Sequence, residues 1–209
     1  MDVHGVESPI HSWKDFLLHL ATITIGILIA LSLEGILEWS HHRSLVREAK
    51  ASLNSEILDN KKELDGLVRN QINARKEHQT VLRYLAERMA HKEPTIHSLT
   101  LNSSLAQLSE TSWNTAGATG ALAHMEYREV KKYSGVYQFQ RQFERVQERT
   151  LENVIAATTA FAQDPEKLSE RELEDAKQRV LSSLSSLQAE GQLAEQLSRV
   201  YAKALEEKR

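Results

Sequence analysis

The chain of 209 residues has no cysteine. Disulfides and thiolate metal sites are therefore excluded, while the compartment stays open, because cysteine-free chains occur on either side of a membrane. Proline is nearly missing: Pro9, Pro94 and Pro165 leave only two long intervals between them. Together with only eight glycines and abundant Ala, Leu, Glu, Gln and Arg, that scarcity predicts long helices. No run alternates apolar and polar residues as a half-buried strand would. There is no excess of positive charge either. A net charge of -3 gives no reason to expect nucleic acid as a partner. A His-Glu-x-x-His pair, a nucleophile elbow and a dinucleotide fingerprint are all lacking, so no cofactor is expected.

What the chain does have is the run FLLHLATITIGILIALSL at residues 16–33, bounded by Asp15 and Glu34. Its 18 residues carry no Asp, Glu, Lys or Arg. As a helix they measure about 27 Å at roughly 1.5 Å per residue, close to the ~30 Å hydrocarbon core of a bilayer. A buried soluble helix of this length would show a polar stripe. A cleaved signal peptide is the second alternative, with Ala30-Leu31-Ser32 as a small-x-small site. However, Lys14 is the sole Lys or Arg before the run, and the apolar segment continues past that site. An uncleaved single span is the expectation, with Trp13 and Trp39 at the interfaces and Arg43 and Arg47 completing a collar that faces lipid phosphates. Arg43, Arg47 and Lys50 follow the span and Lys14 precedes it. The positive-inside tendency then puts the C-terminal bulk in the cytoplasm. Within the span, Thr22, Gly26 and Ala30 recur every four residues, a small-residue face for helix packing. His19 lies four residues from Asp15 and is read as reaching the interface.

Beyond the span the apolar residues keep helical spacing. Val46, Leu53, Ile57, Leu64, Leu67, Ala74, Val81 and Leu85 form one seam, with Asn60, Gln71 and His78 as wet points in it. Pro94 and the polar cluster around it break the chain. A second helix is predicted over residues 126–163, with Val136, Phe139, Phe143, Val146, Val154, Ala157 and Phe161 on its apolar face. Ser169-Glu170-Arg171-Glu172 is a capping box that opens a last helix with Leu173, Val180, Leu184, Leu187, Ala194 and Tyr201 as its seam. The expected organisation is a short flexible tail at 1–12, a transmembrane helix with its interface at 13–39, a long bundle helix at 40–91, a loop and short small-residue helix at 92–125, and bundle helices at 126–163 and 169–207. The fold class is all-α: an N-terminal transmembrane helix continuing into an elongated antiparallel, coiled-coil-like bundle joined by brief loops.

Three places could carry chemistry. Glu34, Glu38 and His41 share a helical face, and Glu38-x-x-His41 matches half of a carboxylate-bridged metal site. The chain supplies one such element where two are needed, so a collar is preferred to a metal site. The stretch SWNTAGATGAL at residues 112–122 follows no strand and lacks the Lys-Ser/Thr of a phosphate loop. Its small residues suit close packing with Trp113 as an anchor, and the sharper alternative is a ligand or partner pocket lined by Trp113, Asn114 and Thr119. The basic segment YREVKK, residues 127–132, reads as a solvated face.

The stretch SWKDFLLHLATITIGILIALSLEGILEWSHHRSLVREAKASLNSEILDN and the later SWNTAGATGALAHMEYREVKKYSGVY resemble a group of uncharacterised bacterial single-span membrane proteins, over about a third of the chain. Those proteins open with a Gly-Ile-Leu-Ile-Ala-Leu type of span followed by an aromatic, a basic collar and a long helix. The resemblance implies a bacterial inner-membrane location and no particular activity. Relatives of this kind often carry a basic N-terminal tail, which implies the opposite orientation; the tail is missing here.

The reading is a non-catalytic, membrane-anchored scaffold or interaction module. Its partners are the lipid bilayer and a second copy or another membrane protein. The rivals are a single-span sensor binding a ligand near Trp113 and a metal-dependent enzyme using Glu34, Glu38 and His41.

Overall fold

The computed structural model describes residues 13–96, 98–161 and 165–206. Helix α1 spans Trp13–Met89, α2 Thr111–Ala118, α3 Tyr127–Thr159 and α4 Glu170–Glu206, with 3-10 turns at Ala121–His124 and Pro165–Lys167. No strand occurs among the described residues. The expected tail at 1–12 and the predicted helix ends at 162–163 and 207 lie outside those residues. α1 runs unbroken through Gly35 and Gly66, the two positions where its sequence is weakest.

Two compact units make up the chain, Met1–Arg47 and Glu48–Arg209. In the first, the side chains of the described residues up to 41 are all exposed, Phe16, Ile25 and Leu33 among them. The second unit holds the core. Leu53, Ile57, Leu64, Leu67, Ala74, Val81 and Leu85 of α1 are buried, as their spacing predicts, and so are the wet points Asn60, Gln71 and His78. Val136, Phe143, Val154 and Ala157 of α3 and Leu173, Val180, Leu187, Ala194 and Tyr201 of α4 bury against them. Phe139, Val146, Phe161 and Leu184 are half-buried at the margins.

Helix direction departs from the expectation. Contacts between α1 and α3 ascend together, Lys50 with Glu129, Asn54 with Tyr133 and Asn60 with Gln140, and further along Ala74 shares a core cluster with Val154, and Val81 one with Ala157. Contacts with α4 descend: Asp65 with Ser198, Gln71 with Glu190, His78 with Ser183. So α3 is parallel to α1, and only α4 is antiparallel to both. Brief loops would force neighbouring helices antiparallel, but α1 and α3 are not joined by one. The connecting segment returns along the bundle as extended chain. Thr95 is held by Glu87, Asn102 by Glu77, and Ser109 by Glu56. Fourteen steps of extended chain cover about 46 Å at roughly 3.3 Å each. The 31 helical steps from Glu56 to Glu87 cover the same ~46 Å at roughly 1.5 Å each.

Two helix ends show why the chain turns where it does. At the end of α1, Lys92 N–H donates to Glu87 C=O at 2.9 Å and His91 N–H to Arg88 C=O at 3.0 Å. That is a Schellman motif, with His91 taking the left-handed position at φ 54° that glycine usually fills. At the start of α4 the predicted capping box forms. Ser169 N–H donates to Glu172 Oε2 at 2.8 Å, and Glu172 N–H donates to Ser169 Oγ at 3.4 Å.

Candidate functional site: a polar layer that clasps the return segment

Glu56 is the hub of the layer. Its carboxylate accepts from Tyr137 Oη at 2.7 Å, from Ser109 Oγ at 2.7 Å and from the Ser112 backbone N–H at 2.8 Å. Ser112 lies in the first turn of α2, where backbone N–H groups lack intrahelical partners. Glu110, the N-cap residue, makes no capping hydrogen bond. A carboxylate from α1 does the capping instead and meets the positive end of the helix dipole.

One turn along α1, Asn60 treats Ser109 as a neighbouring strand would. Its Oδ1 accepts from Ser109 N–H at 2.8 Å, and its Nδ2 donates to Ser109 C=O at 2.7 Å and to Gln140 Oε1 at 3.1 Å. Gln147 of α3 repeats the double bond on Ala106, at 2.8 and 3.1 Å. Tyr201 of α4 donates to Gln140 Oε1 at 2.7 Å, and Gln140 Nε2 donates to Glu144 at 3.1 Å. Four elements thus meet through groups already bonded to one another. Burial and the hydrogen bond to the Glu56 carboxylate push the Tyr137 hydroxyl upward, and burial does the same for Tyr201. Both phenols therefore stay neutral donors. Burial also raises the Glu144 carboxyl. The arrangement fixes irregular backbone inside a bundle, where unpaired N–H and C=O groups would be costly.

Trp113 joins this layer. Its ring stacks on Tyr137 with centroids 5.5 Å apart and planes 25° from parallel. Asn114 and Thr119 are both exposed, and the Thr119 hydroxyl donates to Thr115 C=O of its own helix. Trp113 was legible as an anchor, but its partner Tyr137 and the hub Glu56 were not, since neither carries a local signature.

Further along the bundle, His78 is buried and its neutral form is satisfied. Nδ1 lies 2.8 Å from Ala74 C=O, as donor, and Nε2 lies 2.8 Å from Ser183 Oγ, as acceptor. Burial lowers its affinity for a second proton, with the Ala74 carbonyl opposing.

In the first unit, Thr22, Gly26 and Ala30 are exposed on one helical face. A Cβ placed on Gly26 meets nothing within 4 Å. Hydroxyls in the apolar run turn inward: Thr22, Thr24 and Ser32 donate to the carbonyls of Leu18, Leu20 and Leu28, at 2.9, 2.8 and 2.6 Å. Trp13 stacks on Phe16, and the Arg43 guanidinium lies 5.3 Å above the Trp39 ring. Arg47 donates to Ser44 Oγ. Glu34, Glu38 and His41 are exposed on α1, and Glu38 meets His42 at 4.0 Å instead. Among the described residues no three His, Asp or Glu side chains gather as a metal site would require.

Comparison with protein-family models, curated proteins and solved structures finds no match to this chain. The functional reading therefore rests on the chain's own geometry. That geometry has two parts: an apolar helical segment long enough to cross a membrane, and a bundle whose polar layer around Glu56 and Asn60 is bonded to the bundle's own elements.

Proposed function

We propose that this chain is a non-catalytic, membrane-anchored scaffold or interaction module of a bacterial inner membrane, and that residues 16–33 form its single span. One observation carries the reading. None of the most apolar 18-residue stretch of α1 is buried, and the hydroxyls within it bond back to their own helix. In water, that much exposed apolar surface would be an aggregation hazard. In lipid it is the expected surface, and internally satisfied hydroxyls are what hydrocarbon demands. The excess of Arg43, Arg47 and Lys50 over Lys14 favours a cytoplasmic bundle. Self-association through Thr22, Gly26 and Ala30 is supported by the open face at Gly26, which lets a second helix approach closely.

The anchor is tested by alkaline carbonate extraction of membranes carrying the full chain. Retention in the pellet is the expected result, and release of the intact chain would remove the anchor. Self-association is tested separately by crosslinking in membranes. Gly26→Ile should cut the crosslinked oligomer severalfold; an unchanged yield would exclude contact through this face.

A further inference from the structure

Helix dipoles favour acids at an N-terminus and cations at a C-terminus. The start of α3 obeys that rule with Glu126 at its N-cap and Glu129 in its first turn, but it also carries a cluster of cations. Arg128, Lys131 and Lys132 fall within its first six residues. Its one first-turn acid, Glu129, ion-pairs with Lys50. The neighbouring cation, Lys203, comes from the last turn of α4.

These four cations rim a groove between α3 and α4 with a volume of about 550 Å³. Its floor is apolar, formed by Val136, Val200 and Ala204, and no acid among the described residues lines it. Lys132 is already placed: its ammonium donates to Ala204 C=O at 3.3 Å and lies 4.6 Å above the Tyr133 ring. It caps the C-terminal end of α4. Arg128, Lys131 and Lys203 are exposed and have no acidic partner among the described residues. Cationic rim and greasy floor together match an anion that carries its own apolar part. A free phosphate would gain nothing from Val136 and Val200. Lys50 and Asn54 of α1 contact the same turns of α3 that line the groove.

We propose that this groove binds the headgroup of an anionic phospholipid. The phosphodiester sits among Arg128, Lys131 and Lys203, and the glycerol with its first methylenes lies on Val136, Val200 and Ala204. The inference rests on the membrane-anchored reading. A basic groove on the bundle then selects the lipid in which the anchored domain sits, rather than leaving anchoring to the span alone.

The test uses the full chain in a non-ionic detergent and native mass spectrometry to count bound lipid. The probes are dihexanoyl phosphatidylglycerol, dihexanoyl phosphatidylcholine and inorganic phosphate, all water-soluble. Retention of the chain by membranes plays no part in the readout, so failure here is distinct from failure of the carbonate extraction. Phosphatidylglycerol should bind at least ten-fold tighter than phosphatidylcholine. Each cation near an anionic headgroup is worth about five-fold, so Lys131→Glu with Lys203→Glu should weaken binding at least ~25-fold. The neutral pair Lys131→Gln with Lys203→Gln should lose about 25-fold by the same reasoning, and it serves if the reversed pair loses helicity. Lys76→Glu with Arg83→Glu, an equal charge change at exposed positions of α1, should leave binding unchanged. Equal affinity for the two lipids, equal loss in the α1 variant, or full displacement by an equal concentration of inorganic phosphate would each overturn the proposal.

Discussion

Gln71 of α1 donates its amide N–H to Oε2 of Glu190 of α4 across 2.8 Å, within the buried core of the bundle. Gln71 is 0% exposed and Glu190 1%. The amide oxygen of Gln71, Oε1, and the other carboxyl oxygen of Glu190, Oε1, are both buried with no partner among the described residues. Two facts bear on the missing donor. No cation ion-pairs with Glu190 among the described residues. Burial pushes its carboxyl up to about 8, with the Gln71 bond pulling the other way. At neutral pH Glu190 is therefore an acid rather than a carboxylate. A proton on Oε1 turns one of the two orphaned acceptors into a donor.

This arrangement ties stability to pH. Below about 4.5 Glu190 is protonated in both folded and unfolded chains, and the favourable contribution is complete. Between about 4.5 and about 8 the unfolded chain releases the proton and the folded chain keeps it, so stability falls by roughly 1.4 kcal/mol per pH unit. Above the folded value both states are ionised and the loss levels off. Glu190→Gln keeps the shape, supplies an N–H donor and cannot ionise. Denaturation monitored by far-UV circular dichroism from pH 5 to 9 should show the variant gaining on the native chain as pH rises. The gap should be widest above pH 8. Parallel curves would mean that Glu190 is ionised in the fold.

Gly191 is held to glycine by the same pair. A Cβ there would lie 2.3 Å from Gln71 Oε1, and Gln71 is fully buried, so moving its amide aside would give up the bond to Glu190. Gly191→Ala should therefore destabilise by about 1–3 kcal/mol through overpacking, although alanine is the better helix former. Gly66 is the control. A Cβ there meets only the Arg69 guanidinium at 3.8 Å, so Gly66→Ala should stabilise by roughly 0.5–1 kcal/mol. Urea midpoints of the two variants, moving in opposite directions, check both claims. A stabilising Gly191→Ala would show that the amide can move.

Helical spacing made the buried faces readable in advance. Leu53, Ile57, Leu64, Val81 and Leu85 are all fully buried. Asn60, Gln71 and His78, read as wet points in the seam, are buried and hydrogen-bonded. The capping box at Ser169 and Glu172 was equally legible, because it is complete within four residues. Direction was not. Periodicity says which face a helix buries, but not which way its neighbour points; that is decided by whether the connection turns or returns. The return segment was opaque for a related reason. Its backbone partners, Asn60 and Gln147, lie 49 and 41 positions away in sequence. The basic start of α3 read as a solvated face because Val200 and Lys203, which complete the groove, come from the far end of the chain.

The return segment makes the parallel pairing of α1 with α3 possible, and two amide side chains fasten its last stretch. Asn60 clasps Ser109 and Gln147 clasps Ala106, each through one donated and one accepted bond. Removing Gln147 takes both partners from Ala106, while removing Asn60 takes the partner of the Ser109 N–H and leaves its C=O with Gln140 Nε2 at 3.2 Å; a buried group left unpaired costs about 1–3 kcal/mol. The two sites differ in their surroundings. Asn60 is buried and also bonds Gln140, whereas Gln147 is half-buried and water can replace it. Asn60→Ala should therefore cost more than Gln147→Ala, by about 1 kcal/mol or more. Hydrogen exchange provides the local readout. In the native chain the Ser109 and Ala106 amides should exchange slowly although they lie outside any helix. Asn60→Ala should speed exchange at Ser109 while leaving the amides around Ala157 and Val180, at the other end of the core, as protected as before. Gln147→Ala should act on Ala106 in the same local way. Uniform acceleration throughout the bundle would instead make these amides part of the global unfolding unit, and the clasp would then have no separate role in holding the return segment.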